Sequence, residues 1–215
     1  MKHFFFDLDG CVTESRQIIS PEMKAKLATL PRVIVISGAE RSRMEYQLDG
    51  LDCEIMAQSG NETSLWKNLL TEKETKEIEE HIKIISKFSE QFGKSKQIDY
   101  RGCQISYAFV GHDAPNEIKK KFDPDKAKRT EIMRLCPFAS ETLEGRIAGT
   151  NCIDYTPKVG TKGKNIERFI RQKGWSKNEC VYYGDNLQKG GNDESVLGVI
   201  KCIAVTDPGD LLARL

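Results

Sequence analysis

The sequence predicts an α/β fold built on a doubly wound parallel sheet, with an α+β segment inserted into it. Toward both ends of the 215-residue chain, short apolar runs alternate with helical segments, which is typical of parallel strands joined by helices. The middle instead shows the order helix, hairpin, helix and strand. We therefore expect a core domain of residues 1–72 and 153–215, interrupted by a second domain of residues 73–152.

The first third of the chain supplies strand and helix signals in turn. Residues 4–6 form an apolar run of strand type, and a helix is expected over residues 21–30, because a serine N-cap precedes a proline at its first position. The β-branched run 33–36 is typical of a strand that is buried on both faces. A polar helix is expected from about residue 41, and a further strand over residues 53–57.

The middle of the chain has a different character. Residues 74–92 are charged and carry apolar side chains at three- and four-residue steps, which predicts one amphipathic helix. Segments 98–100 and 105–107 flank a short polar stretch, which predicts a hairpin. A basic helix is expected over residues 124–135 and a single strand over residues 145–154.

The last quarter returns to the alternation of helix and strand. A helix is expected over residues 165–173, since Gly174 is a favourable residue to end it. Strands are expected over residues 180–183 and 200–205, and they would complete the parallel sheet.

Composition excludes several classes of function. Lys and Arg number 33 and Asp and Glu 32, so the net charge of +1 offers no electrostatic basis for binding nucleic acid or an anionic membrane. The apolar runs are far too short to cross a bilayer, and the amino-terminal segment is unlike a signal peptide. Seven scattered cysteines without a Cys-x-x-Cys pair favour free thiols in a reducing cytoplasm over a disulfide framework or a zinc site. The oligomeric state stays open, with a homodimer as one alternative.

Two carboxylates directly follow the first predicted strand. Buried carboxylates are costly unless a partner holds them, and Asp7 and Asp9, two positions apart in an extended segment, would both point toward the crevice at the strand's end. One of them could bind a hard cation and attack phosphorus while the other handles a proton. An Asx-type turn leaving the strand is the alternative.

Three further signals stand where other core elements begin or end. Ser37 and Gly38 follow the 33–36 run, where a hydroxyl and a glycine amide could bind phosphate oxygens. Lys162 precedes the helix of residues 165–173 and could neutralise charge on a transferring phosphoryl group. Asp185 and Asp193 lie on a glycine-rich loop after the 180–183 strand and could complete an oxygen site for Mg²⁺. Ordinary turns and a surface lysine are the alternatives.

Taken in chain order, these elements resemble the motif set of the haloacid dehalogenase-like (HAD) phosphotransferases. The resemblance covers the whole chain and implies a Rossmann-like core with a type IIB cap inserted between the second and third motifs. It further implies that Asp7 attacks phosphorus to form an aspartyl-phosphate and that Asp9 serves as general acid and base. Ser37 and Lys162 would stabilise the transferring oxygens. The implied Mg²⁺ ligands are Asp7, the backbone carbonyl of Asp9, Asp185 and Asp193.

Several segments resemble the eukaryotic-type phosphomannomutases more closely. They are residues 7–13 with Arg16, residues 98–102, the strand up to residue 154 and the loop of residues 184–193. This resemblance implies substrate contacts from Arg16, Arg101 and Asp154. It implies a further contact from Cys152, which stands where that family has a serine. From the residues alone, the two arginines could equally form ordinary surface ion pairs.

The chain departs from the phosphomannomutase pattern at several positions. Cys11 stands where the wider superfamily usually has threonine, His112 where a second cap arginine is expected, and only the lysines 119–121 lie near the place of a third. A mutase must hold a second phosphate firmly in the cap, and bidentate arginines suit that task better than histidine or lysine. We therefore expect a Mg²⁺-dependent phosphohydrolase acting on a sugar phosphate or a similar small phosphorylated metabolite. A phosphosugar mutase and a non-catalytic binding module on the same fold are the alternatives.

Overall fold

The computed structural model describes residues 2–215, which fall into two compact units. The core unit comprises residues 2–68 and Val159–Leu215, and the inserted unit comprises Leu69–Lys158. The strands are β1 (His3–Asp7), β2 (Val33–Ile36), β3 (Glu54–Met56), β4 (Ile98–Tyr100), β5 (Ile105–Ala108), β6 (Leu143–Ala148), β7 (Cys152–Pro157), β8 (Cys180–Gly184) and β9 (Lys201–Ala204). The helices are α1 (Pro21–Ala28), α2 (Arg41–Leu48), α3 (Glu72–Ile85), α4 (Asn116–Phe122), α5 (Ala127–Leu135), α6 (Lys162–Lys173) and α7 (Pro208–Arg214). Within residues 2–215, none of the helices has both the length and the apolar character that crossing a bilayer requires.

The core unit is built on a five-stranded sheet in the order β3-β2-β1-β8-β9, and all neighbouring strands are parallel. Consecutive residues of β1 are buried on opposite faces of this sheet. Phe5 belongs to an apolar cluster with Phe169 of α6, whereas Phe6 belongs to a cluster with Leu27 of α1 and Leu48 of α2. Because both faces are covered, the predicted doubly wound parallel sheet is confirmed.

The carboxyl ends of the three central strands lie at one edge of the core sheet. Asp7 of β1 is paired with Ile36 of β2, and Phe6 of β1 is paired with Tyr183 of β8. Residues that follow these strands are therefore close in space although they are far apart in sequence. This edge is where a parallel sheet places a functional site.

The inserted unit has a four-stranded antiparallel sheet in the order β4-β5-β7-β6. One face of this sheet is apolar, since residues such as Ile105 form a cluster with Ile78 of α3 and Ile132 of α5. The alternate residues, among them Ser106 and Asp154, which are paired across β5 and β7, belong to the opposite face. The inserted unit is thus an α+β fold with the expected hairpin at β4 and β5.

Residues 143–157 form a hairpin, whereas the sequence predicts one strand over residues 145–154. β6 and β7 are antiparallel, and the chain reverses at Gly149, whose φ of +48° lies in the left-handed region that favours glycine. The three-residue turn is too short to interrupt the strand pattern visibly in the sequence. The expected domain boundary between residues 152 and 153 would cut β7, which pairs with β6 along its whole length. The inserted unit therefore ends at Lys158, and it begins at Leu69 rather than at residue 73.

The helical segments of the inserted unit also differ from the sequence-based expectation. One helix is expected over residues 124–135, but α5 is preceded by the separate helix α4. The Asp123 carboxylate accepts hydrogen bonds from the backbone amides of Lys128 at 2.9 Å and Arg129 at 3.1 Å, so it starts a new helix after α4. Helix α3 ends at Ile85 and continues as a single 3₁₀ turn to Phe88, short of the expected end at residue 92.

Candidate active site

A buried cluster of charged side chains lies at the carboxyl edge of the core sheet. Lys162, the first residue of α6, donates from Nζ to Asp7 Oδ1 at 2.6 Å and to Asp193 Oδ1 at 2.7 Å. The lysine side chain is 2% exposed and those of Asp7 and Asp193 are 4% and 0% exposed. Carboxylate oxygens of Asp7, Asp185 and Asp193 all lie within 4.8 Å of one another. The structure thus brings together the residues of three motifs that the sequence analysis singled out.

Burial controls the charge state of this cluster. Burial raises the pKa of Asp7 to about 7, while Lys162 opposes the rise and Asp193 adds to it. Burial alone would lower the pKa of Lys162, but the Asp193 and Asp7 carboxylates outweigh it and raise that pKa, so the lysine is an ammonium. Because three carboxylates face this ammonium and every donor is an oxygen, the cluster fits a hard divalent cation such as Mg²⁺.

Asp193 is the most connected carboxylate of the cluster. Its Oδ1 accepts from Lys162 and also from the hydroxyl of Tyr182 at 2.7 Å, and its Oδ2 accepts from the backbone amide of Asn186 at 3.3 Å. Tyr182 is fully buried in β8, and burial together with the Asp7 and Asp193 charges raises its pKa well above the usual value, so its hydroxyl is a donor. These bonds fix Asp193 in one orientation.

Two glycines allow the acidic loop to approach the strand ends. Gly10 has a φ of +82°, and a Cβ at this position would lie 2.6 Å from Asp185 Oδ2. A Cβ at Gly184 would overlap the Asp193 carboxylate. Any larger residue at these two positions would push the carboxylates away from Asp7, so the cluster depends on glycine there.

Asp9 has partners of its own. Its Oδ1 accepts from the backbone amide of Arg16 at 2.7 Å and from Gln47 Nε2 at 3.1 Å. Both donors are uncharged groups, so among residues 2–215 Asp9 is held by hydrogen bonds and not by a salt bridge. The metal role expected for Asp9 uses its backbone carbonyl, and that role stays a prediction.

The candidate phosphate-binding residues of the core unit differ in their burial. Ser37 is buried directly after β2, one position beyond the partner of Asp7, and its Oγ accepts from the Ala39 amide at 3.2 Å. Gly38 follows it and is half-buried. The Arg16 side chain is exposed, and its backbone is in the left-handed region at a φ of 63°. Substrate contacts from these three residues stay predictions.

The inserted unit gathers the other expected contact residues on the polar face of its sheet. Arg101 Nε donates to Asp99 Oδ2 at 2.8 Å, and the arginine side chain is only 15% exposed, so the pair is not an ordinary surface ion pair. Burial works to lower the pKa of Arg101, but Asp154 and Asp99 outweigh it and raise that pKa. Ser106 Oγ donates to Asp154 Oδ1. The half-buried Cys152 lies two residues before Asp154, and burial followed by the Asp154 charge raises its pKa to about 11.

His112 stands where a second cap arginine is expected, and Lys119 lies near the place of a third; both bind backbone carbonyls within the inserted unit. His112 Nε2 donates to the backbone carbonyl of Ser106 at 3.1 Å, and Lys119 Nζ donates to the carbonyl of His112 at 2.5 Å. Burial lowers the pKa of His112, although the Ser106 carbonyl opposes this change. The imidazole is therefore uncharged at neutral pH.

Comparison with known proteins supplies relatives over nearly the whole chain. No protein-family model matches the sequence. The phosphomannomutase of Spinacia oleracea is 25% identical over 233 aligned positions, which cover 97% of this chain and 92% of that protein. The phosphomannomutase of Encephalitozoon cuniculi is 26% identical, with 99% of this chain and 91% of that protein covered.

Solved structures share the fold at lower sequence identity. IMP-nucleotidase of Plasmodium falciparum matches 99% of this chain with a TM-score of 0.66 at 14% identity, and this chain spans 66% of that protein's chain. The C-terminal domain of trehalose-6-phosphate phosphatase from C. albicans matches 92% of this chain with a TM-score of 0.59 at 15% identity, over 73% of that chain. A haloacid dehalogenase-like hydrolase from Bacteroides thetaiotaomicron gives a TM-score of 0.59 at 13% identity, over 93% of this chain and 85% of that chain.

Proteins named phosphomannomutase thus align with nearly the whole chain, and its fold is that of haloacid dehalogenase-like hydrolases and phosphatases. Sequence reasoning missed three buried residues of the protein, namely Tyr182, Gln47 and Arg129. The adjacent tyrosines of β8 must face opposite sides of a covered sheet, so one buried hydroxyl needing a partner could have been anticipated. The other two sit on helices of polar composition, where one buried polar side chain resembles its exposed neighbours.

Proposed function

We propose that this enzyme is a Mg²⁺-dependent phosphohydrolase of a sugar phosphate or a similar small phosphorylated metabolite. The observation that carries the proposal is the cluster in which Lys162 binds both Asp7 and Asp193, while Asp9 is held separately by uncharged donors. One carboxylate can then serve as nucleophile, and the other can exchange a proton without breaking an ion pair.

The cation would be held by the carboxylates of Asp7 and Asp185 and the backbone carbonyl of Asp9, with Asp193 in support. When bound, it would neutralise charge on the phosphoryl oxygens. Lys162 adds a fixed positive charge beside Asp7, and Ser37 adds a hydroxyl after β2. These groups would stabilise the oxygens of the transferring phosphoryl group.

Hydrolysis would proceed in two displacements. First, an Asp7 carboxylate oxygen bonds to phosphorus as the bond between phosphorus and the substrate oxygen breaks, and protonated Asp9 gives its proton to the departing oxygen. Asp9, now a carboxylate, then takes a proton from water as the water oxygen bonds to phosphorus and the aspartyl bond breaks. The products are an alcohol and inorganic phosphate, and both aspartates return to their starting states.

The charges of the inserted unit favour hydrolysis over mutase chemistry. Arg101 is already paired with Asp99, His112 is uncharged, and the Lys119 ammonium binds a backbone carbonyl. A mutase needs strong cationic contacts to hold the second phosphate of its bisphosphate intermediate. Because these groups are paired or uncharged, they would hold the second phosphate weakly. Water would then attack the aspartyl-phosphate before its phosphoryl group could return to the sugar.

A phosphomannomutase-like mutase is the second candidate. The names of the relatives favour it, since proteins called phosphomannomutase align with nearly the whole chain. A non-catalytic binding module has no such support, because each motif position keeps the group that phosphoryl transfer needs.

Phosphate release from a panel of phosphorylated sugars tests the proposal. With Mg²⁺ and no bisphosphate activator, we expect the purified enzyme to release inorganic phosphate from at least one member, and we expect no release by Asp7→Asn. The proposal would be wrong if no member released phosphate while one hexose phosphate was converted to its isomer. It would also be wrong if release persisted in Asp7→Asn.

A further inference from the structure

The side chain of Gln47 connects helix α2 to the loop that carries Asp9. Gln47 is 0% exposed, and its Nε2 lies 3.1 Å from Asp9 Oδ1, 3.2 Å from Thr13 Oγ1 and 3.4 Å from the Gln17 carbonyl. Its backbone carbonyl also accepts from the Ile19 amide at 2.7 Å. One buried residue therefore fastens the segment of residues 9–19 at several points.

The other residues that orient the Asp9 carboxylate lie on its own loop, whose backbone hydrogen bonds are formed within the loop itself. The amides of Val12 and Thr13 donate to the Leu8 carbonyl, both at 2.9 Å. Arg16, whose amide is the other donor to Asp9, is exposed and has a left-handed backbone. Within the part of the chain that the structure describes, Gln47 is thus the contact that ties Asp9 to a helix of the core. A group on a packed helix defines a side-chain direction better than an exposed loop does.

The chemistry of the Gln47 side chain is unusual for a purely structural position. Its Oε1 is buried without a hydrogen-bond partner among residues 2–215, which is a cost that an apolar residue of similar size would avoid. An amide also orients a carboxylate without adding a fixed charge beside it, whereas lysine or arginine would lock that carboxylate in an ion pair. The buried Oε1 without a partner and the uncharged amide donor both suit a residue whose task is to orient the Asp9 carboxylate.

We propose that Gln47 is a positioning residue that aims the Asp9 carboxyl at the oxygen of the leaving group. The inference rests on the proposed function, in which Asp9 protonates that oxygen. General acid catalysis typically contributes about 10²–10⁴ in rate, and a misplacement of about 1 Å can cost a hundredfold. Removing the Gln47 donor should therefore cost about ten- to a hundredfold wherever the leaving group needs a proton.

Two aryl phosphates test this role without knowledge of the natural substrate. Phenyl phosphate has a basic leaving group that needs a proton, whereas 2,4-dinitrophenyl phosphate expels a stable phenolate without one. For Gln47→Met, we expect kcat/KM to fall about ten- to a hundredfold for phenyl phosphate and by less than about threefold for 2,4-dinitrophenyl phosphate. Since kcat/KM reports the step in which the leaving group departs, a later water attack does not mask the difference.

Matched variants separate positioning from packing. Gln47→Glu keeps the size of the side chain and replaces the amide, so it should show the same selective loss if the methionine variant folds poorly. Met44→Leu changes a buried residue of the same helix that packs in the apolar cluster, and it should leave both kcat/KM values within about twofold. Equal losses on both substrates in the Gln47 variants, or no loss on phenyl phosphate, would overturn the inference.

Asp9→Asn distinguishes this inference from the proposed function beneath it. If Asp9→Asn is selective for phenyl phosphate and the Gln47 variants are not, only the positioning role is wrong. If Asp9→Asn loses both substrates equally, Asp9 does not act on the leaving group and both assignments are wrong. If the wild-type enzyme releases phosphate from neither compound and from no member of the sugar phosphate panel, hydrolysis itself is contradicted.

Discussion

Lys162 Nζ lies 2.6 Å from Asp7 Oδ1, although 155 positions separate the two residues in the chain. The whole inserted unit lies between them in sequence, and the pair forms because α6 packs on the core sheet, where its Phe169 shares an apolar cluster with Phe5 of β1. Lys162 also binds Asp193, so one ammonium organises both the candidate nucleophile and the acidic loop. Activity should therefore be sensitive to small changes in this cluster.

Replacing Asp7 with asparagine should abolish turnover and leave the fold intact. The amide has nearly the same shape and can still accept from Lys162, but it cannot attack phosphorus or balance a cation. We expect phosphate release to fall by more than about a thousandfold, with an unchanged circular dichroism spectrum. Asp52→Asn, at an exposed position of the same unit, is the control. Activity of Asp7→Asn within about tenfold of wild type would rule out the nucleophile assignment.

Activity should require a divalent cation and should depend on Asp185. This aspartate is exposed, so Asp185→Ala should fold normally while removing one of three clustered carboxylates. We expect a loss of at least about a hundredfold in activity, and a smaller rise in melting temperature on adding Mg²⁺ than wild type shows. Full activity of the wild-type enzyme after exhaustive chelation would show that the acidic loop is only structural.

Arg101 should affect substrate choice more than the rate of phosphoryl transfer. It lies in the inserted unit beside Asp99, away in sequence from every core motif. Arg101→Ala should raise KM for a sugar phosphate about tenfold and change KM for a generic aryl phosphate little, since the loss of one charge-assisted contact costs about this much. Arg134→Ala, on α5 and 67% exposed, is the control. Equal losses on both substrates would instead indicate a folding or catalytic role for Arg101.

Arg129 should be essential to the stability of the inserted unit. Its side chain and that of Asp123 are both 0% exposed, and its Nη1 donates to the carbonyls of Ala148, Gly149 and Cys152 around the turn between β6 and β7. Arg129→Met would leave a buried carboxylate and these carbonyls without the cation, at a cost of about 3–5 kcal/mol.

Denaturant unfolding measures this cost directly. The exposed Arg134→Met on the same helix should change the free energy of unfolding by less than about 0.5 kcal/mol. A similarly small effect of Arg129→Met would mean that the buried pair does not stabilise the turn.

The sequence was sufficient to predict the core sheet and the residues of its charged cluster. Asp7, Ser37 and Asp185 each follow an apolar run, and in a parallel sheet such positions converge at one edge whatever the details of packing. Lys162 precedes a helix with clear start and stop signals, which confined it to that helix's first turn. These positions follow from local pattern and from one rule of topology.

The remaining features depend on tertiary contacts that leave little local signal. Gln47 and Arg129 are polar residues on polar helices, and only packing decides that they are the buried ones. The β6–β7 reversal depends on a short turn at Gly149, which Arg129 stabilises from a different helix. The second boundary of the inserted unit lies at Lys158 and not at residue 152, because this short turn leaves the sequence pattern of a single strand.

The fate of the phosphoryl group tests the central claim most directly. Phosphorus NMR can follow mannose 1-phosphate with the enzyme and Mg²⁺, with and without added mannose 1,6-bisphosphate. We predict that inorganic phosphate accumulates as the main product, with little mannose 6-phosphate and no dependence on the bisphosphate. Accumulation of mannose 6-phosphate ahead of inorganic phosphate, and faster with the bisphosphate, would contradict the account and establish a mutase.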